Sequence, residues 1–426
     1  MPGRLPTGNR SYEPGDLEPA LERLVEFSHE DRFEDELERG MDLLWEAAEA
    51  SLAEEDQKLL ESYSDEVGIA ESWLLLDQPL GDQWTMVDRF LMERGDELPT
   101  GQRNFLLDLR ETHLSLFEVQ EVVPDRGFVG VDLWTGDRYR ITFPDQAESL
   151  APWDLLVGRL LCRPDGAVMF EFGSYPYPAG VAVDVLARLQ QHFDWLRGYE
   201  PNLSSRTFFK RTGFLFHHLM IEFRDGRPSA FLYPEGTLLE LRTWRCQDPE
   251  AVGALLEQAR DSFVSVRRYH WVFHNRPGSP VDAGGPQVRL FGSCLQAAAT
   301  AAMDLERLQV RLQDLLPHSL SLLEQRRATV EGLESVDLGQ GLRAGASLEE
   351  AHEHLRIRLE AWLARPSVEF EGHSPLQCAG NRKRLDAVLD QLKAMENREY
   401  QHPLHPGGRY DFGWLWARLG ARPPQD

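Results

Sequence analysis

The hydrophobic period of this chain changes at His113, and that change constrains the fold more than any other feature. From Leu17 to about Leu109 apolar residues recur at three- and four-residue steps, as in Leu21, Leu24, Val25 and then Phe33, Leu37, Met41, Leu44 and Trp45. That spacing lays one apolar stripe along a helix. Leu59, Leu60, Tyr63 and Val67 continue the rhythm, and Trp73 to Leu76 reads as a buried helix or junction. Thr85, with Asp88 three positions later, predicts a helix N-cap, and Thr100 predicts another through Leu109.

Beyond His113 the period falls to two. Leu116–Val123, Gly127–Trp134, Arg138–Phe143, Leu155–Cys162 and Ala167–Phe172 read as five short strands joined by tight turns. Five such strands in so short a stretch predict a small closed barrel of OB or SH3 type. A helix from about Val181 to Trp195 follows it.

Further along, Phe214–Phe223 and Ala230–Tyr233 read as paired strands. An ordered alternation comes next: strand Thr237–Cys246, helix Pro249–Arg260, strands Ser262–His274 and Gln287–Leu295, helix Thr300–Leu316, strand Ser319–Gln325. That order is the ferredoxin-like β-α-β-β-α-β unit. Asp248-Pro249 is an acidic cap followed by proline in the first helical turn. The Pro/Gly-rich stretch 275–286 is a long hairpin connection, and 333–346 is a linker. Ser347 and Glu350 form a capping box for a helix through Leu363, and Asn381 starts another. Trp414, Trp416 and Tyr410 imply that the last thirty residues dock on the rest.

The expected fold class is therefore multidomain α+β. It comprises a flexible arm (1–16), an acidic helical domain (17–110), a small β-barrel with its following helix (111–200), a ferredoxin-like α+β domain (201–332), the linker (333–346) and a helical tail (347–426). A length of 426 residues exceeds what one core sustains, and 42% apolar with 10% aromatic content is that of a folded chain.

Charge narrows the partners. Of the net charge of −25, the segment from Glu13 to Glu97 supplies most, with 27 Asp or Glu against 6 Lys or Arg. Such a field repels phosphate backbones, so nucleic acid is not expected on the N-terminal part. No run approaches the length of a membrane span, which predicts no membrane association and a cytoplasmic protein. Cys162, Cys246, Cys294 and Cys378 lie far apart, with no paired spacing for zinc; no metal and no cofactor is predicted.

Catalytic motifs do not emerge: there is no nucleophile elbow, P-loop or dinucleotide fingerprint. His217 and His218, adjacent in a strand, would face opposite ways; His352 and His354 diverge around a helix; His402 and His405 flank prolines in a turn. His270 and His274 share one strand face in Tyr-His-Trp-Val-Phe-His. With Arg268, Tyr269 and Trp271 that sheet could stack a base or bind a small ligand, against the plainer reading that Trp271 and Phe273 pack under helices. Arg206, Lys210 and Arg211, around Phe208 and Phe209, form a basic-aromatic cluster that reads as a solvated connector.

Trp362-Leu-Ala-Arg-Pro366, followed by Gly372-His-Ser-Pro375-Leu-Gln-Cys-Ala379, resembles the W-L-x-x-P … G-x-T-P-x-x-A signature of the toxin-binding domain of Xre/MbcA/ParS antitoxins. A similar tail ends uncharacterised bacterial proteins related to SEC-C-motif proteins, and Ser115–Val119 with Asp132–Asp137 looks like that same group. The SEC-C zinc cysteines are absent here, and no basic helix-turn-helix precedes the tail. The resemblance implies C-terminal helices that bind another protein, through Trp362, Leu363, Pro366, Gly372 and Pro375. The expected function is a non-catalytic interaction or accessory protein, with an RNA-associated factor or a divergent enzyme as alternatives.

Overall fold

The computed structural model describes residues 10–51, 68, 72–81, 84–223, 231, 233, 237–267, 270–274, 285–291, 294–317, 319–329, 342–343 and 345–422. The chain is mixed α+β and divides into two compact units, 1–226 and 227–425. Leu59, Leu60, Tyr63 and Val67, the connection 275–284, Arg268, Tyr269 and most of the linker lie outside the described residues.

The first unit opens with helices α1 (Leu17–Ser28), α2 (Glu34–Ser51), α3 (Met86–Arg94) and α4 (Thr100–Arg110). Thr85 caps α3 as expected: its hydroxyl accepts from the Asp88 amide while the Asp88 carboxylate accepts from the Thr85 amide. At α4 the cap position falls on Pro99, so Thr100 is the first helical residue. Residues 10–16, expected to be loose, are held instead. Tyr12 is buried with its ring edge-on to Phe105, Arg10 pairs with Asp108, and Pro14–Asp16 form a 3-10 turn.

Strands β1 (Leu114–Val123), β2 (Gly127–Asp132), β3 (Arg138–Thr142), β4 (Leu155–Cys162) and β5 (Val168–Tyr177) close a barrel in the order β1-β2-β3-β5-β4. Neighbours are antiparallel except β3 and β5, which run parallel. Phe172 and Gly173, both at positive φ, form a bulge in β5 opposite Gly158 and Arg159. The extra residues bend the strand around the cylinder. Phe117, Phe128, Ile141, Leu160 and Phe170 fill the interior.

Helices α5 (Ala182–Tyr199), α6 (Ser205–Thr212) and α7 (Phe214–Phe223) complete the unit. Here the structure corrects the expected strand at 214–223. The run Phe-Leu-Phe-His-His-Leu-Met-Ile-Glu-Phe is apolar all round, so periodicity cannot separate helix from strand. As a helix it buries Leu215, Phe216, Leu219, Met220 and Phe223 in a core shared with Leu44, Trp73, Leu116, Val157 and Leu189. The N-terminal helices and the barrel thus have one hydrophobic interior in common.

In the second unit, β6 (Leu238–Cys246), β7 (Phe263–Arg267), β8 (His270–Phe273), β9 (Gln287–Phe291), β10 (Cys294–Ala299) and β11 (Leu320–Thr329) form an antiparallel sheet ordered β11-β6-β10-β9-β8-β7. The two long strands expected at 262–274 and 287–295 are each a hairpin, since β7 pairs with β8 and β9 with β10. Helices α8 (Pro249–Gln258) and α9 (Ala302–Leu315) place Val252, Leu256, Leu305, Leu308 and Leu312 in one core with Trp244, Leu295 and Ala297 of the sheet. The Asp248 carboxylate caps α8, accepting from the Ala251 amide at 3.0 Å.

The C-terminal helices are α10 (Leu348–Ala364), α11 (Pro375–Cys378), α12 (Arg382–Gln401) and α13 (Gly413–Arg418). Ser347 with Glu350 and Ser374 with Gln377 form capping boxes, and Asn381 caps α12. The final residues dock: Leu415, Trp416 and Leu419 are buried, and the Trp416 indole donates to Glu396 at 3.0 Å.

Candidate functional site

Helix α5 turns Val185, Leu189 and Phe193 inward, four residues apart, and leaves the far face to solvent. Phe193 is fixed edge-on to Trp134 at 5.4 Å and to Phe208 at 5.1 Å. On the outer side Trp195 and Tyr199, one turn apart, are 60% and 73% exposed. Their rings meet each other at 5.4 Å with an interplanar angle of 68°. Two large rigid side chains held together in water offer apolar area at little conformational cost, and each keeps a polar tip for a partner. Nothing in the alternation of α5 singled them out, because the pair reads as ordinary sequence until its face is known.

A second arrangement lies inside the same unit. Asp77, just past the helical residues 72–76, meets Arg159 of β4 and Lys210 of α6 with neither the Asp77 nor the Arg159 side chain exposed. Arg159 donates from both terminal nitrogens to the carboxylate and from Nη1 to the Thr112 hydroxyl at 3.2 Å. Lys210 Nζ donates to Asp77 Oδ1 at 2.7 Å and to the Leu76 carbonyl at 3.3 Å. The Trp73 indole N–H in turn donates to the Lys210 carbonyl at 2.8 Å. Burial pushes the Lys210 ammonium below its usual range against the pull of Asp77. His113 stacks on Phe209 at 5.8 Å, and burial takes its pKa down to about 4, with Arg159, Lys210 and Arg206 adding to the fall and Asp77 opposing it. Both carboxylate oxygens are occupied by cationic donors, so this centre ties β4, α6 and the end of 72–77 together. It is a strut.

The basic cluster is thereby corrected. Arg206 pairs with Glu111 and Arg211 with Glu200, while Lys210 turns inward, so the three cations serve three different partners. His217 and His218, now on a helix, also part company: His218 Nε2 lies 2.7 Å from the Leu43 carbonyl, and burial takes His217 down to about 4.

In the second unit the ligand-face reading of β8 meets a wholly buried Trp271, whose indole donates to Glu257 at 3.0 Å on the helix-covered side. Trp271 therefore offers no ring to stack a base. The opposite face carries a polar row that sequence spacing did not reveal. Register sets Thr243 beside Gln296, Gln296 beside Arg289, and Arg289 beside His270. Gln296 Nε2 donates to the Thr243 hydroxyl at 3.3 Å, and His270 lies 3.0 Å from Gln287 Oε1. Phe231 meets this row, edge-on to His270 and beneath the Arg289 guanidinium at 5.9 Å.

The C-terminal signature is built into the interior. Trp362 and Leu363 are buried, the Trp362 indole donates to Gln391 at 3.3 Å, and Pro375 is buried at the start of α11; only Pro366 faces solvent. Gly372 follows Glu371 in a turn where both have positive φ. Arg384 donates to the Glu371 carboxylate from Nε at 3.2 Å and Nη2 at 3.1 Å, and Arg245 reaches the Gly372 carbonyl at 3.5 Å. His352 meets Tyr410 edge-on at 5.4 Å, and His405 Nδ1 accepts from the Gly407 amide. Among the described residues no three His, Cys, Asp or Glu side chains gather in a metal-binding group, and Cys162, Cys246 and Cys378 are free thiols.

The chain matches no protein-family model, no curated protein and no solved structure.

Proposed function

We propose that this chain is a non-catalytic interaction or accessory protein of a bacterial cytoplasm. The observation that carries the reading is the solvent-facing Trp195–Tyr199 pair on α5, since tryptophan and tyrosine are enriched among the anchors of protein–protein contacts. The parallel β3–β5 contact and the order β1-β2-β3-β5-β4 support an OB-type barrel. The order β11-β6-β10-β9, with α8 and α9 as crossovers, supports a ferredoxin-like unit widened by the β7–β8 hairpin. The antitoxin-like signature supports a kinship in the C-terminal helices whose Trp362, Gly372 and Pro375 build the module, leaving contact with a partner to surface residues around Pro366.

The test is quantitative co-purification from a bacterial extract with the tagged full chain and its Trp195→Ser/Tyr199→Ser variant. The variant should lose the partner while its circular dichroism and thermal unfolding stay unchanged. Equal recovery with both proteins rejects the reading.

A further inference from the structure

The barrel is stitched unevenly. β3 pairs with β2 along its whole length, from Gly127–Thr142 to Val131–Arg138, but it meets β5 through the single bridge Thr142–Met169. Among the described residues, Arg138–Ile141 thus have no ladder partner on the β5 side. The direction of their backbone groups follows from the ladder. The Asp132 amide donates to the Asp137 carbonyl and the Phe143 amide to the Arg126 carbonyl, both at 2.9 Å, so the odd-numbered residues of β3 face β2. By alternation Arg138 and Arg140 aim their N–H and C=O groups at the open side, as Thr142 does where it bridges Met169.

The side chains at the same two positions are exposed guanidinium groups. Many arginines of this unit find acids, among them Arg32 with Glu93, Arg110 with Asp88, Arg163 with Glu171 and Arg211 with Glu200. Among the described residues no carboxylate pairs with Arg126, Arg138 or Arg140, and the neighbouring Asp137 instead accepts from the Tyr139 hydroxyl at 3.4 Å. Arg138 and Arg140 thus set two cations without a carboxylate partner along this edge, in a chain of net charge −25.

We infer that the open edge of β3 docks an extended acidic peptide of a partner protein by strand addition. The inference rests on the reading of this chain as an interaction protein, but uses a different surface from the aromatic pair. Main-chain amides and carbonyls complement a peptide backbone, which a phosphodiester strand cannot reproduce. An added strand sets alternate side chains beside Arg138 and Arg140, so the pattern it selects is acidic at every second position. Edge cations also repel basic strands and give neutral ones no charge attraction, which gives the edge its specificity.

The probe is a short fluorescein-labelled peptide alternating Glu with Val, titrated with the full chain and followed by anisotropy. Binding should weaken roughly tenfold or more in the Arg138→Glu/Arg140→Glu variant and as salt rises. It should also fail for a peptide with Lys in place of Glu and for one N-methylated on alternate amides. Unchanged affinity in the charge-reversed variant, or equal binding of the Lys peptide, overturns the acidic specificity. Equal binding of the N-methylated peptide overturns strand addition. Failure of the probe while a Trp195-dependent partner is still recovered by the wild-type chain rejects this edge alone; equal recovery of every partner by the wild type and the Trp195→Ser/Tyr199→Ser variant rejects the interaction reading itself.

Discussion

The Asp77 carboxylate and the Arg159 guanidinium are joined through two nitrogens, both side chains wholly withdrawn from solvent. With Lys210 as a second donor, the carboxylate balances two cations. Asp77→Ala leaves both cations buried without their counter-charge, so it should cost about 3–5 kcal/mol in urea unfolding of the full chain. The Asp77→Leu/Arg159→Met/Lys210→Met triple variant should lose less than Asp77→Ala, because it removes all three charges together. A single-variant loss below 1 kcal/mol, on the order of a surface pair, argues against the strut.

Two histidines give the first unit an acid-sensitive stability. Burial is the main cause that lowers His113 and His217 to about 4. Asp77, Arg159, Lys210 and Arg206 act on His113, and His218 acts on His217. The unfolded chain takes up these protons near the ordinary histidine value, whereas the folded one resists until about pH 4. Their contribution is therefore complete above roughly pH 6.5 and declines as pH falls toward 4, by roughly 2 kcal/mol per histidine at pH 5. His217→Phe should flatten part of that decline in a denaturant series. A wild-type stability constant from pH 7 to 5 contradicts it.

Gly372 sits at φ +76°, and a Cβ there would lie 2.5 Å from a Leu323 methyl carbon. Gly372→Ala should destabilise the second unit by about 1–3 kcal/mol, through backbone strain and the displaced leucine together. Gly136, at φ +77° with nothing near its Cβ, separates the two causes: Gly136→Ala bears the strain alone and should cost less. Thermal unfolding of both variants decides, and equal losses would remove the steric part.

Tyr12 anchors the chain's beginning against Phe105. Tyr12→Ala should lower stability by about 3 kcal/mol, the scale of a buried aromatic truncation, and expose residues 10–16 to proteolysis. Protease resistance unchanged in the variant would mean that Arg10–Asp108 alone holds the segment.

Features that depend on near neighbours were readable in the sequence. The caps at Thr85, Asp248, Ser347 and Asn381 each need partners within three residues, and all four form. The barrel strands were equally visible, because alternation over a few residues is enough. What failed needed distant information. The uniform apolarity of Phe214–Phe223 gave no face by which to tell helix from strand. Asp77, Thr112, Arg159 and Lys210 share no spacing that marks them as one cluster. The row Thr243–Gln296–Arg289–His270 exists only through register, which a hairpin misread as one strand destroys. Trp362 was legible as an anchor, but an aromatic that holds helices together looks the same in sequence as one that greets a partner.

The Asp77 link also orders events during synthesis. Arg159 follows Asp77 by 82 residues and Lys210 by 133, so a growing chain carries the acid long before either base has left the ribosome. Until β4 emerges, closing the interior would strand that acid, and the link is complete only once Lys210 of α6 follows. Nascent chains stalled before Arg159 has emerged should therefore yield their N-terminal helices to protease more readily than chains stalled well after it.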